Sequence, residues 1–118
     1  MTKIHILNTG MICVSPYVPY DDTNAGKLKT MGLTVPRNQW VWLPISSYLI
    51  EHPKGLVLVD TGWDRRISPT GEYDKKLQAQ VLGSKMLARV NQGMLPEGKA
   101  IDEQLLKMGY NARDIDYV

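Results

Sequence analysis

Apolar and polar positions change period several times along the chain, and the changes mark out its elements. Lys3 to Leu7 and Gly10 to Val14 are short, β-branched and apolar, separated by Asn8-Thr9-Gly10. Strand residues flanking good turn chemistry predict an opening hairpin. From Ser15 to Asn38 neither a helical nor a strand period is sustained, because Pro16, Pro19, Pro36, the pair Asp21-Asp22, Gly26 and Gly32 interrupt it. The pattern predicts a long loop. Such loops act as binding loops or are plain surface excursions, and in the first case Tyr17, Val18, Tyr20 and Met31 are the residues that would wall a pocket.

Trp40 to Ile50 is dense in aromatic and β-branched residues, Glu51-His52-Pro53-Lys54-Gly55 supplies a turn, and Leu56 to Val59 is a continuous apolar run. These predict a second, longer hairpin with a buried final strand. Residues 61 to 75 carry Gly62, Pro69 and Gly71 and predict a loop. Tyr73 to Val90 has Leu77, Val81, Met86 and Leu87 at loosely helical spacing, with Gly83 as a weak point. A better helix follows Pro96: Ile101, Leu105 and Met108 share a face, and Gly109 terminates it. Asn111 to Asp114 predicts a single turn, and Ile115 to Val118 the start of a strand. A strand begun after a well-formed helix and given no room to pair predicts a chain cut short at Val118.

At 118 residues and 43% hydrophobic, the chain is one domain long with enough apolar residues for a core. Fourteen Lys and Arg stand against twelve Asp and Glu without a block of like charge, which points to neither nucleic acid nor an acidic membrane as partner. No apolar run approaches a membrane span, and Met1 to Leu7 lacks a signal peptide's long apolar region, so a cytoplasmic protein is expected. The single cysteine, Cys13, lies among Met11, Ile12 and Val14 and is expected to be a small buried hydrophobe rather than a nucleophile.

Candidate chemistry is sparse. His5 and His52 stand alone, without H-x-H, H-x-x-x-H or C-x-x-C spacing, so no self-sufficient metal site is expected. His5 alternates with Ile4 and Ile6 as a solvent-facing strand residue would, and His52 sits in a turn. The marks of serine hydrolases, P-loop enzymes and dinucleotide folds are absent. Asp60-Thr61-Gly62, at the end of the run Leu56 to Val59, remains. In a retroviral-type aspartic protease each chain of a homodimer gives one such aspartate. Trp63 would crowd the partner's aspartate there, and Val81-Leu82-Gly83, the segment needed as a later strand, falls in a helical pattern.

A second class accounts for the whole chain. "WLPISSYLIE", the turn "HPKG", the strand "LVLVDTG" and, about 45 residues on, "LLKMGYNARDIDYV" resemble the N-terminal half of metallo-β-lactamase-fold hydrolases, in particular the N-acyl-homoserine lactonase-like group. The resemblance covers residues 3 to 118. It implies an α+β fold, half of an αββα sandwich: one mixed or antiparallel sheet with helices on one face. It also implies truncation of residues 1–118 just before the family's H-x-H-x-D-H metal motif. In the complete enzyme two zinc ions would ready a hydroxide that opens lactones or esters. Asp60, Thr61 and Gly62 would support the metal-bearing loop, Asp60 from the strand tip and Gly62 by close backbone approach. No catalytic residue, no metal ligand and no activity are expected of this chain alone. The bare inner sheet face, on Tyr48 to Ile50 and Leu56 to Val59, would require the missing C-terminal half or a second copy of the chain. A reading of another class is a non-catalytic interaction or scaffold protein that uses the same exposed face.

Overall fold

The computed structural model describes residues 1–20 and 26–118; the pair Asp21-Asp22 lies outside them. Four strands form one sheet in the order β3-β2-β1-β4: β1 is Lys3–Val14, β2 is Val41–His52, β3 is Gly55–Val59 and β4 is Gln92–Met94. All the strand pairs are antiparallel. The β2–β3 hairpin and its turn are those the sequence predicts, but β3 is the edge strand rather than a buried one, with Leu58 buried and Val59 exposed.

The opening hairpin is not. Lys3 to Val14 is one strand running along β2, and Asn8-Thr9-Gly10 is a bulge inside it: Asn8 faces Ser46 and Met11 faces Pro44, so Thr9 and Gly10 stand opposite Ile45 alone. Gly10 has φ 116°, and the Asn8 side chain accepts a hydrogen bond from its amide at 3.2 Å. The same residues that make a good turn also make a good bulge. One extra residue reverses the alternation, so Leu7 before it and Val14 after it share a face.

That face carries Leu7, Leu49 and Leu58, packed against Leu105. Leu105 belongs to α4 (Ile101–Lys107), which follows the predicted pattern, with Ile101 and Met108 on the same contact and Gly109 at φ 87° just beyond. Among the described residues the opposite face is covered only at one end, where Cys13, Val35 and Trp40 form a second cluster with Tyr17. At its other end Ile4, Ile6, Tyr48 and Val59 point outward together; Ile6 is 72% exposed and Val59 47%. Full burial of such a side chain contributes about 1.5–3 kcal/mol, so this is an unusual surface for a sheet to leave bare.

The long segment from Ser15 to Asn38 is not all loop: Gly26–Thr30 forms the short helix α1, and Arg37–Gln39 a 3-10 turn. Residues 61–75 contain another 3-10 turn at Arg65–Ile67, with Asp64 as its cap. Tyr73 to Val90 is two helices rather than one, α2 (Lys75–Val81) and α3 (Lys85–Val90), capped by the side chains of Asp74 and Ser84. Gly83, at φ 70°, makes the break. β4 was not predicted from the sequence. It is held by the buried Gln78 of α2, whose amide group exchanges hydrogen bonds with the backbone of Gly93. The final segment runs alongside β3: Tyr117 bridges Val57 in parallel, Leu58 N donates to Tyr117 O at 2.8 Å and Leu56 N to the Asp116 carboxylate at 2.7 Å. No helix among the described residues is long and apolar enough to cross a membrane.

Candidate functional site around Asp60

β3 ends at Val59 and the chain turns at once. Asp60 has φ 64°, the sole described residue other than glycine in the left-handed region. Aspartate tolerates this conformation better than most because its short side chain can bond locally. Here Asp60 Oδ1 accepts from the amides of Thr61 at 2.6 Å and Gly62 at 2.9 Å. Its other oxygen has no partner among the described residues, and the side chain is open to solvent. Backbone strain of this kind is concentrated at functional sites.

The next residues fasten this turn to the bulge of β1. A Cβ on Gly62 would lie 2.2 Å from Thr9 Oγ1 and 2.3 Å from Thr9 Cβ, so only glycine fits. Thr9 is fully buried, and its hydroxyl bonds to Ser47 Oγ at 2.9 Å. Trp63 then lies across the sheet edge: its indole N–H donates to Met11 O at 3.0 Å, and its ring fills the space above Gly10 and Gly93. The bulk that crowds a protease dimer is thus used inside this fold. Val81 closes α2 and Leu82 caps it, so that segment is helical and not a strand.

Arg65 completes the anchoring. Its guanidinium makes paired 2.8 Å bonds to the two oxygens of Glu103 in α4 and further bonds to the carbonyls of Ser68, Leu95 and Pro96. Bidentate geometry of this kind fixes orientation as well as energy. The Arg65 hydrogen bond holds the Glu103 carboxyl below its usual pKa, against a smaller opposing effect of burial. A depressed carboxyl contributes stability above its unfolded pKa and loses it as pH falls through the folded value. Glu103→Gln is therefore expected to lower the urea midpoint at pH 7 and to flatten the loss of stability between about pH 5 and pH 3; parallel urea titrations of the two proteins across that range check it.

Thr61, Gly62, Trp63 and Arg65 line a shallow cavity of about 260 Å³ against Ile101 and Asp102. Tyr17, Val18, Tyr20 and Met31 do not line it. Tyr17 is half-buried against the cluster of Cys13, Val35 and Trp40, whereas Val18, Tyr20 and Met31 are exposed. Cys13 is buried, and burial pushes its thiol above the usual value. His5 is half-buried rather than solvent-facing; its Nε2 lies 2.9 Å from Glu51 Oε1, which also accepts from Tyr110 at 3.0 Å. His52 Nδ1 accepts from the Lys54 amide at 3.1 Å. Among the described residues no group of three or more His, Cys, Asp or Glu could hold a metal ion. The described residues do not by themselves fit a metal centre. Sequence reasoning missed Thr9 and Arg65; the bulge glycine and an arginine next to Asp64 are too ordinary to signal them.

An antiparallel sheet with α4 on one face, an opposite face bare at one end and an Asp-Thr-Gly turn at the tip of β3 is an α+β fold that matches half of a metallo-β-lactamase-like domain. Among the solved structures it is similar to are N-acyl homoserine lactone hydrolases. One, a quorum-quenching N-acyl homoserine lactone hydrolase, aligns with a TM-score of 0.58 at 18% identity over 96% of this chain and 34% of its own. A second, with N-hexanoyl-L-homoserine bound at its catalytic metal centre, gives 0.63 at 18% identity over 96% and 37%. A third, a mutant of B. thuringiensis AiiA with N-decanoyl-L-homoserine at its active site, gives 0.62 at 18% identity over the same shares. The chain thus spans about a third of the length of these structures. No protein-family model and no curated protein matches the sequence.

Proposed function

We propose that residues 1–118 are the N-terminal portion of a metal-dependent hydrolase that opens lactones or esters, with N-acyl homoserine lactones as the first substrates to test. The observation that carries this is the fold match over 96% of the chain to lactone hydrolases about three times as long. The bare face bearing Ile4, Ile6, Tyr48 and Val59 supports it, since an uncovered apolar layer needs a second layer. In the complete cytoplasmic enzyme the metal ligands would come from the remaining part of the fold, and two zinc ions held there would supply activation of water for the attack. Asp60 is a positioning residue at the tip of β3, with Thr61 and Gly62 shaping the turn, and Tyr17, Val18, Tyr20 and Met31 contribute to the substrate pocket. Residues 1–118 by themselves are inactive.

The test begins with the coding sequence past Val118, where H-x-H-x-D-H is expected within about ten residues. The polypeptide carrying that motif, mixed with residues 1–118, is expected to bind two zinc ions and open N-hexanoyl homoserine lactone, while neither piece does so alone. A reconstituted complex that binds zinc but opens no lactone or ester overturns the proposed reaction. Absence of the motif, together with a dimer sealed through the sheet face, turns the assignment toward an interaction protein. A well-folded monomer that binds no apolar dye removes the need for any partner on that face.

A further inference from the structure

A second cavity lies away from the Asp-Thr-Gly turn, between α2, α3 and the 3-10 turn at Arg37, with a volume of about 890 Å³. Its size is that of a small-molecule site. Five cations line it, Arg37, Lys75, Lys76, Lys85 and Arg89, and no Asp or Glu does so among the described residues. This takes five of the fourteen Lys and Arg and leaves nine against twelve Asp and Glu elsewhere, so the charge is concentrated here rather than spread over the surface. None of the five makes an ion pair among the described residues; Arg37 instead stacks over Trp40 at 4.3 Å. Like charges gathered around one concavity repel one another, and an anion between them relieves that repulsion.

The remainder of the wall mixes Ala79, Ala88 and Gly83 with the uncharged polar Gln80 and Ser84, and the stems of the lysines add aliphatic surface. Multiple positive charges around a partly apolar interior select a compact organic anion with more than one negative charge. We propose that this cavity binds a small phosphate monoester, its phosphate held by the lysines and Arg89 and its carbon body against the alanines. A polynucleotide would need a basic track extending beyond the cavity, and the acidic balance of the rest of the chain does not supply one. The site shares no lining residue with the Asp60 turn, and it stands whether or not the chain belongs to a lactone hydrolase.

Phenyl phosphate tests this on the whole protein, with inorganic phosphate and phenol as separate controls, by calorimetry and by amide NMR shifts. Saturable binding of one phenyl phosphate is expected, tighter than either control, with the largest shifts at Gly83, Ser84 and Ala88. Lys75→Glu combined with Arg89→Glu is expected to weaken it at least about tenfold, because two attractive charges become repulsive. Lys76→Gln combined with Lys85→Gln, a milder pair, gives the same direction if the first variant fails to fold. Lys3→Glu with Lys99→Glu, outside the cavity, is expected to leave affinity unchanged. No saturable binding by about 5 mM, equal loss in the Lys3 and Lys99 variant, or shifts confined to other residues overturns the proposal. Binding of an oligonucleotide without phenyl phosphate binding also overturns it, and assigns the charge to nucleic acid.

Discussion

Gly62→Ala is expected to destabilise the fold by about 2–5 kcal/mol. Two costs combine. At φ 65° a side chain is strained wherever it points, and here the new Cβ would fall 2.2 Å from Thr9 Oγ1 and 2.7 Å from Thr9 O. Thr9 cannot retreat, because it is fully buried, bonded to Ser47, and held in the bulge that Gly10 forms. Gly109→Ala separates the two costs: Gly109 has a similar φ of 87° with nothing within 4 Å, and alanine there should cost only about 1–2 kcal/mol. Urea unfolding of both variants measures the difference. If the two lose equal stability, the turn is not docked into the bulge as described.

The same contact explains how far the sequence could be read. The β2–β3 hairpin and α4 are legible because each is decided locally: alternation closed by Pro53-Lys54-Gly55, and an apolar face closed by Gly109. β1 is not decided locally. Asn8-Thr9-Gly10 satisfies a turn and a bulge equally, and what selects the bulge is Ile45, Gly62 and Trp63, all distant in sequence. β4 is three residues long and contains a glycine and a glutamine, and its place is fixed by Gln78 rather than by its own pattern. For the candidate site, the sequence isolated Asp60-Thr61-Gly62 by elimination. It could not show that Asp60 adopts a left-handed backbone or that Arg65 bolts the following turn to α4. Tyr17 is half-buried against the cluster of Cys13, Val35 and Trp40, a contact that no period in its proline-rich segment announces.

Asp60→Asn, introduced into the complete enzyme proposed above, is expected to lower kcat/KM by about 10–100-fold while changing the unfolding free energy by less than about 1 kcal/mol. Asparagine tolerates the left-handed backbone and keeps an oxygen to accept from the amides of Thr61 and Gly62, so the turn survives. What it removes is the negative charge of the exposed carboxylate, whose second oxygen is free of the turn and available to a loop packed above β3. Asp60→Gly sharpens the comparison: it relieves the strain at φ 64° but discards both side-chain hydrogen bonds, and is expected to lose as much activity with little net change in stability. Metal content of the proposed enzyme, measured alongside, distinguishes positioning from folding, because a weakened metal-bearing loop would lose metal while the unfolding transition stays cooperative. Full activity and full zinc in Asp60→Asn would reduce Asp60 to a turn cap. Loss of folding in that variant, with activity lost only in proportion, would give the carboxylate a structural role alone.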